Sequence, residues 1–265
     1  MRFAKAQACG NDFLIVEGPC DPELAKRLCE RHTGIGADGV EFFESTGPRS
    51  GRIRLVNADG SIAEISGNGT RCVAAWIAQQ STAGPDDKIT LETDAGPRTS
   101  RITGVDGNTF QIAAGMGIPE VHQAQVALAD KTIVHGIQVS MGNPHFVIVV
   151  HDDNFRAHSR GWQELGREIC FHPQFPHQTN VEFVRMISAA EIEIRIFERG
   201  VGPTTSSGTG TCASAAAIIA HCGGKSPMTV QAPGGSQKVE WTGAGAEMIL
   251  MGSASLVAAG EVLLA

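Results

Sequence analysis

Hydrophobic and polar positions fall into short runs along most of the chain, bounded by Gly, Pro, Asn or Asp, and this pattern predicts strands. Many of the runs are partly β-branched, which favours extended backbone. The predicted strands are Arg2–Ala8, Asp12–Val16, Gly39–Glu44, Arg52–Asn57, Lys88–Thr93, Arg98–Thr103, Thr109–Ala113, Thr132–Ser140, His145–Val150, Asn180–Arg185, Glu191–Phe197, Thr229–Ala232, Gln237–Trp241 and Ala246–Met251.

Four segments have the composition and boundary residues of helices. In the first, an Asp-Pro pair gives the start signal, and Leu24 and Leu28 share one face. The second and fourth are rich in alanine, and a Gly-Gly pair ends the fourth. The predicted helices are Asp21–Arg31, Gly67–Gln79, Trp162–Cys170 and Gly208–His221.

Two motifs recur along the chain. Ser66–Ala75 resembles Ser207–Ala215, and their first serines lie 141 residues apart; Cys9–Phe13 resembles Met141–Phe146, and their asparagines lie 132 residues apart. Two motifs that are repeated at nearly the same spacing indicate a duplicated unit, although Gly-rich turns before Ala-rich helices also recur by chance. We therefore predict one half at 1–115, a second at 116–250, and a final segment, 251–265, that returns to the first half.

Composition excludes several classes of protein. The chain has 265 residues, 42% of them hydrophobic and 18% charged, so it can bury a sizeable core. Its net charge of −7 argues against a nucleic-acid binder, and no apolar run reaches the roughly 18 residues of a membrane span. The seven cysteines are scattered, without a CxxC pair, which argues against a disulfide framework or a zinc site. We expect a cytoplasmic protein.

The two S-G-x-G-T elements predict anion sites. Each runs from a turn into a helix, whose first N–H groups have no partner within the helix and lie at its positive end. Glycines let a phosphate or carboxylate come close, and neither element fits a nucleotide-binding motif. Two such helices, one from each half, could clamp one small anion; the alternative is that both are ordinary helix caps.

Polar residues at the strand ends beside these turns suit a zwitterionic amino acid. Amide and carboxylate oxygens would accept from an ammonium group, whereas an arginine would meet a carboxylate. Each asparagine taken singly is also a common turn residue. His145 is either a helper base or a structural histidine. The strand-end residues are Asn11, Asn57, Asn143, Asn180, Glu198 and Arg199.

Taken together and in order, these motifs resemble the diaminopimelate epimerase family. The matching segments are Ala8–Phe13, Arg31–Gly39, Asn57–Ser61, Gly67–Cys72, Gly142–His145, Asn180–Val181, Glu198–Gly200 and Gly208–Cys212.

The resemblance implies an α+β fold of two pseudo-symmetric halves, each a β-barrel-like sheet around a central helix. It also implies a reaction without a cofactor or metal, in which an α-proton leaves one face of an amino acid and a proton returns on the other. The six strand-end residues fall where the family holds its ligand. Backbone N–H groups at Gly67, Asn68, Gly208 and Thr209 fall where it grips the α-carboxylate. We expect a homodimer that binds neither nucleic acid nor membrane.

The sequence departs from the family pattern at the positions of its acid and base. Ser66 and Ser207 stand where the family has cysteines that act as thiolate base and thiol acid. A thiol titrates near about 8.5 and a helix N-terminus lowers that pKa, whereas a serine hydroxyl is a much poorer base. Pro203 and Gly39 also replace larger polar residues. We expect Cys72 and Cys212, inside the helices, to be buried apolar groups.

Three interpretations remain open from the sequence. The first is an epimerase that converts LL- to meso-diaminopimelate for lysine and cell-wall biosynthesis, with Ser66 and Ser207 at the catalytic positions. The second is a relative with the same binding site but a different substrate or chemistry. The third is a catalytically weak amino-acid-binding protein, and an engineered Cys→Ser form is compatible with each of them.

Overall fold

The computed structural model describes residues 1–263, in which seventeen strands and four helices form an α+β fold. The chain divides into two compact units. We call Met1–Gly115 with the residues from Met251 onward the N-terminal unit, and Met116–Leu250 the C-terminal unit. Each unit is a β-barrel-like sheet around a central helix, as the resemblance implied.

In the N-terminal unit, antiparallel hairpins alternate with parallel pairs. Strand β1 pairs antiparallel with β2, β2 parallel with β3, β3 antiparallel with β4, β4 parallel with β6, and β6 antiparallel with β7. Strand β17 also pairs with β1 and β8. The elements are β1 (Arg2–Ala8), β2 (Asn11–Glu17), α1 (Pro22–Cys29), β3 (Gly39–Gly47), β4 (Ser50–Asn57), β5 (Ile62–Ala63), α2 (Gly67–Ser81), β6 (Lys88–Thr93), β7 (Gly96–Asp106), β8 (Thr109–Gly115) and β17 (Ile249–Glu261).

The C-terminal unit repeats this order of pairing, which is the duplication predicted from the two motifs. Strand β10 pairs antiparallel with β11, β11 parallel with β12, β12 antiparallel with β13, β13 parallel with β15, and β15 antiparallel with β16. The elements are β9 (Glu120–Ala127), β10 (Ile133–Ser140), β11 (Pro144–Val149), α3 (Trp162–Cys170), β12 (Asn180–Ser188), β13 (Glu191–Glu198), β14 (Gly202–Thr204), α4 (Gly208–His221), β15 (Met228–Ala232) and β16 (Gly235–Glu240).

Helices α2 and α4 fill the middle of their units because most positions in them are small or apolar. Cys72, Val73, Ala74 and Ala75 are buried on α2 among strand residues of the N-terminal unit. Helix α4 buries residues from Gly208 through Ile218 in the same way. A helix with small or apolar residues on most of its sides packs in a core, where the surrounding strands cover those residues.

Helices α1 and α3 cover the outer face of each sheet. The buried face of α1, with Ala25, Leu28 and Cys29, packs on apolar residues of β2, β3 and β4. The corresponding face of α3, with Leu165 and Ile169, packs on β12 and β13. Each sheet therefore carries apolar side chains on both faces, which explains why some strands have little alternation.

The structure corrects several predicted boundaries. The first helix is shorter than Asp21–Arg31, because Asp21 is its N-cap and the residue after Cys29 leaves the helix. The last predicted strand, Ala246–Met251, is wrong: β17 begins at Ile249 and runs for 13 residues. Strands β5, β9 and β14 were missed, because two are very short and β9 is mostly polar. Within residues 1–263, no helix is long and apolar enough to cross a membrane.

Candidate active site

Ser66 and Ser207 cap the two central helices in the same way. Both serines have extended backbone, and the Oγ of Ser66 accepts from the N–H of Gly69 at 3.1 Å. The Oγ of Ser207 accepts from the N–H of Gly210 at 3.2 Å. These bonds satisfy the third N–H group of each helix, and the earlier N–H groups remain directed along the helix axis. Both predicted elements are thus helix caps, which is compatible with anion binding.

In the N-terminal unit, Asn11 and Asn68 are linked by a hydrogen bond. The Nδ2 of Asn68 donates to Oδ1 of Asn11 at 3.2 Å, and Oδ1 of Asn68 accepts from the buried Arg71 guanidinium at 2.7 Å. The Nδ2 of Asn11 donates to Asp38 at 2.7 Å. Because each amide bonds on both sides, their orientations are fixed.

Asp38, the hydrogen-bond partner of Asn11, belongs to a group of charged side chains. The Nη2 of Arg31 lies 2.8 Å from Oδ1 of both Asp12 and Asp38, and the Nζ of Lys5 lies 2.9 Å from Asp12. Burial acts to raise the pKa of Asp12, but hydrogen bonds from Arg31 and Lys5 outweigh it, so the pKa is lowered. The sequence analysis did not assign this role to Lys5, Arg31 or Asp38.

Asn57 lies at the end of β4 and is held by its own turn rather than by Asn11 and Asn68. Its Nδ2 donates to the Oγ of Ser61 at 3.0 Å, and Gly60 in that turn has a φ of +86°. This turn closes a hairpin, since β4 pairs antiparallel with the short β5.

In the C-terminal unit, Asn143, His145 and Thr209 come together at the start of α4. The Nδ2 of Asn143 donates to the Oγ1 of Thr209 at 3.3 Å, and its Oδ1 lies 3.0 Å from Nε2 of His145. With a proton on Nε2, His145 donates a hydrogen bond to Oδ1 of Asn143. The ring therefore contacts the polar groups of the predicted site.

The other nitrogen of His145 contacts a carboxyl group that the sequence analysis missed. Nδ1 lies 2.7 Å from Oε1 of Glu182, and both side chains are fully buried. Burial raises the pKa of Glu182, and His145 acts in the opposite direction. His145 is therefore held by a polar partner at each ring nitrogen, and the choice between helper base and structural histidine stays open.

Asn180 positions the backbone of Arg199. Its Oδ1 accepts from the N–H of Arg199 at 2.9 Å, and its Nδ2 donates to the carbonyl of Pro144 at 3.2 Å. The guanidinium of Arg199 donates to the carbonyl of His177 at 3.3 Å. Glu198 is the last residue of β13, directly before Arg199, and is half-buried. Asn180 therefore fixes the point at which this charged pair leaves the sheet.

The paired strands also place a second buried carboxyl at the matching position of the N-terminal unit. Glu182 pairs with Val147 across β11 and β12, and Glu41 pairs with Ile15 across β2 and β3. The two glutamates lie 141 residues apart, as Ser66 and Ser207 do, and each stands in a Val-Glu-Phe sequence. That third echo of the repeat was the signal from which both could have been found.

The cysteines of the two central helices lie inside the helices rather than at their starts. Cys72 and Cys212 are fully buried, as expected, and burial raises the pKa of the Cys72 thiol. None of the seven cysteines forms a disulfide. No three His, Cys, Asp or Glu side chains are grouped as metal ligands in the part of the chain that the structure describes.

Comparison with known proteins supports the family assignment along almost the whole chain. The family model of diaminopimelate epimerase matches residues 3–121 and 137–257. Diaminopimelate epimerase of Xanthomonas campestris is 34% identical, with 98% of this chain and 96% of the relative covered. That of Halothermothrix orenii is 36% identical, with 100% and 98% covered.

Solved structures share the fold at low identity. A structure described as a predicted epimerase from Pseudomonas aeruginosa has a TM-score of 0.75 at 14% identity, and the match covers 100% of this chain and 99% of that one. A hydroxyproline epimerase from Agrobacterium vitis, with trans-4-hydroxy-L-proline bound, has a TM-score of 0.70 at 18% identity, covering 99% and 90%. At these identities the likeness shows the fold alone.

Proposed function

The chain belongs to the diaminopimelate epimerase family, and from that premise we propose that it inverts the α-carbon of diaminopimelate without a cofactor. The observation that carries the proposal is the duplicated helix start. Each central helix begins with a serine cap, a glycine and a buried polar residue, and each first turn is bonded to an asparagine of a neighbouring strand.

The helix starts would bind the α-carboxylate. Free N–H groups of a first helical turn favour a negative charge, and glycines at positions 67 and 208 have no side chain that would block the approach of a ligand. Oxygens of the fixed asparagine amides and of Glu198 would accept from an ammonium group, while Arg199 would pair with the distal carboxylate. In this proposal Asn57 and Asn180 complete the binding set, Asn180 by holding the backbone of Arg199.

The reaction needs a group that removes the α-proton and a group that supplies a proton from the other face. In the first step a base forms a bond to the α-proton, and the electron pair of the C–H bond stays on the α-carbon. In the second, an acid delivers its proton to that carbon. We assign Ser66 and Ser207 to these positions, with His145, whose Nε2 contacts Asn143, as a stronger base at the α4 start.

A specific observation favours a second candidate, an amino-acid-binding protein with little turnover. Both acid–base positions carry hydroxyl groups, and each Oγ accepts a hydrogen bond from its own helix. A serine that caps a helix is a poor proton acceptor near neutral pH, because its alkoxide is strongly disfavoured. In this second candidate the same residues bind the amino acid, and only the proton transfers are absent.

Solvent exchange distinguishes the two candidates. LL-diaminopimelate incubated with the protein in D2O should lose its α-proton NMR signal and gain the meso form if the protein is an epimerase. Binding without exchange, measured by calorimetry, supports the second candidate. Arg199→Ala should weaken binding far more than Lys88→Ala, which removes an exposed charge. If the two variants bind equally well, the assignment of Arg199 is wrong.

The setting and assembly of the protein are further parts of the proposal. Seven cysteines without a disulfide suit a reducing compartment, so we place the reaction in the cytoplasm. The homodimer expected from the family resemblance is tested by light scattering of the purified protein, in which the mass of a monomer would contradict it.

A further inference from the structure

Glu41 is a buried carboxyl group without a hydrogen-bond partner. Its side chain is 1% exposed, and neither carboxyl oxygen has a partner among residues 1–263. Its neighbours across the sheet are Ile15 on β2 and Leu55 on β4, both apolar. An unpaired carboxyl in such a place is rare, because burying a charge without compensation costs a large free energy.

The carboxyl group of Glu41 lies against the first turn of α2. A Cβ atom built on Gly69 would stand 2.0 Å from Oε1 of Glu41 and 3.3 Å from Cβ of Ser66. Glu41 and the helix-capping serine thus meet at the same glycine. The contact requires a glycine at position 69, since any side chain there would occupy the space of the carboxyl oxygen.

The N-terminal unit lacks the partner that the C-terminal unit provides. Phe13 pairs with Gly39 two residues before Glu41, just as His145 pairs with Asn180 two residues before Glu182. Phe13 therefore stands where the repeat places a histidine, so Glu41 has no imidazole to accept from. Burial alone raises the pKa of Glu41 to about 8, and the group carries a proton at neutral pH.

Few other charges face Glu41. On α2 the Cys72 thiol interacts electrostatically with Glu41, and burial raises the pKa of that thiol. Asp12 and Arg71 act on that thiol too, and both keep their charge between pH 6 and 9, since the pKa of Asp12 is lowered. The remaining charged groups of the packed elements lie away from the α2 face: Arg52 and Arg54 alternate to the exposed side of β4, and α1 packs on the opposite face of β3.

We propose that Glu41 is a positioning residue for anion binding at α2: protonated, it leaves the positive end of the helix to the ligand carboxylate, and ionised, it opposes that carboxylate. The inference rests on the proposed function, which assigns the α-carboxylate to Gly67 and Asn68. A neutral acid places no net charge beside the first turn. A carboxylate in the same buried position would neutralise the helix end and repel a second anion at short range.

Linkage makes the effect reciprocal. A ligand that prefers the protonated form of Glu41 must also strengthen proton binding by Glu41. Near pH 8 about half of the Glu41 side chains are ionised, so binding of diaminopimelate should take up at most about half a proton per site there, and below about pH 6 it should take up none. The proton count is independent of any catalytic turnover.

The experiment compares Glu41→Gln with the original protein in calorimetric titrations of diaminopimelate between pH 6 and 9. Glutamine has the shape of the acid but cannot ionise. We expect equal affinity at pH 6 and, at pH 9, binding to the original protein that is roughly tenfold weaker than to Glu41→Gln. Glu44→Gln, at an exposed position of the same strand, should show the same pH dependence as the original protein. The ligand's own amines titrate equally with every variant, so their effect drops out when the proteins are compared at one pH.

A second measurement needs no substitution. The ¹³Cδ resonance of Glu41, assigned by its loss in Glu41→Gln, should titrate near pH 8 and shift to higher pH when ligand is added. Parallel pH profiles for the original protein and Glu41→Gln, or a titration that ligand does not move, would overturn the role of Glu41 while leaving the proposed function intact. If diaminopimelate neither binds nor exchanges at any pH, the proposed function fails and the role of Glu41 fails with it.

Discussion

His145 and Glu182 form a fully buried pair in which Nδ1 lies 2.7 Å from Oε1. The contact fixes the plane of the imidazole, so that Nε2 meets Oδ1 of Asn143 at the start of α4. Phe13 and Glu41 occupy the matching positions in the N-terminal unit, where the carboxyl has no such partner. The buried glutamate is therefore present in both units, whereas the histidine that contacts it is present in the C-terminal unit and replaced by Phe13 in the other.

Replacing His145 with phenylalanine should make Glu182 resemble Glu41. Burial already raises the pKa of Glu182, and loss of His145 removes what opposes that rise. A carboxyl group whose pKa is higher in the folded than in the unfolded state contributes its full stabilisation of the fold below the unfolded-state pKa. That stabilisation is lost as the pH rises through the folded-state pKa. We expect His145→Phe to lower the free energy of unfolding by about 3–5 kcal/mol at pH 8 and by clearly less at pH 4.

Urea denaturation at the two pH values measures this change. His151→Phe, at an exposed position, should have a small effect at both. Adding Glu182→Gln to His145→Phe should recover most of the loss at pH 8, because no buried charge is then left. An equal loss at pH 4 and pH 8 would instead mean that His145 acts through packing alone.

Glu41→Gln should stabilise the fold in a pH-dependent way. The folded state holds a proton on Glu41 up to about pH 8, whereas the unfolded chain releases it near the ordinary value of 4.5. Unfolding therefore becomes easier as pH rises between these values, and glutamine removes that loss. We expect a gain of about 2–4 kcal/mol at pH 9 and almost none at pH 4, measured by urea denaturation. Glu44→Gln is the matched control, and a gain that does not vary with pH would contradict the assignment of a buried acid.

Arg31→Ala should weaken ligand binding more than it weakens the fold. Arg31 is more than half exposed, so its ion pairs with Asp12 and Asp38 contribute roughly 1 kcal/mol or less to stability. Asp38, however, holds the amide of Asn11, whose orientation the proposed site depends on. We expect about a tenfold loss of diaminopimelate affinity by calorimetry, with little change in thermal unfolding. Arg52→Ala, on the exposed side of β4, should change neither.

Local signals made much of the fold predictable. Helices α3 and α4 match their predicted bounds, because the small-residue turn before α4 and the glycines after it act within a few residues. Strand β17 was misplaced because its length depends on pairing with β1 and β8, which are distant in sequence.

Sequence predicted the polar strand ends of the site better than its buried carboxyls. A glutamate inside an apolar run, such as Glu41, is predicted from the sequence to occupy an exposed position of an alternating strand. Only the register of β2 and β3 shows that it points toward α2. The fixed amides of Asn11 and Asn68 are a similar case, since their orientation comes from side chains on β2, on α2 and in the loop before β3.

The last prediction concerns the two serines that cap the central helices. Ser66→Cys combined with Ser207→Cys should raise α-proton exchange on diaminopimelate by orders of magnitude. A thiol titrates near about 8.5, and the N-terminus of a helix lowers that pKa further, so a base would exist near neutral pH. Either single substitution should give much less, because inversion needs one group to take a proton and another to give one.

Exchange is followed by proton NMR in D2O, with circular dichroism to verify that each variant is folded. Cys72→Ser is a suitable control, because that thiol is buried inside α2 and should not affect exchange. Background exchange in a folded double variant would mean that these helix starts do not hold the acid and base of an epimerase. Fast exchange in the original protein would mean that serine, or His145 supported by Glu182, already serves as the base, and the pKa argument against the hydroxyl groups would be wrong.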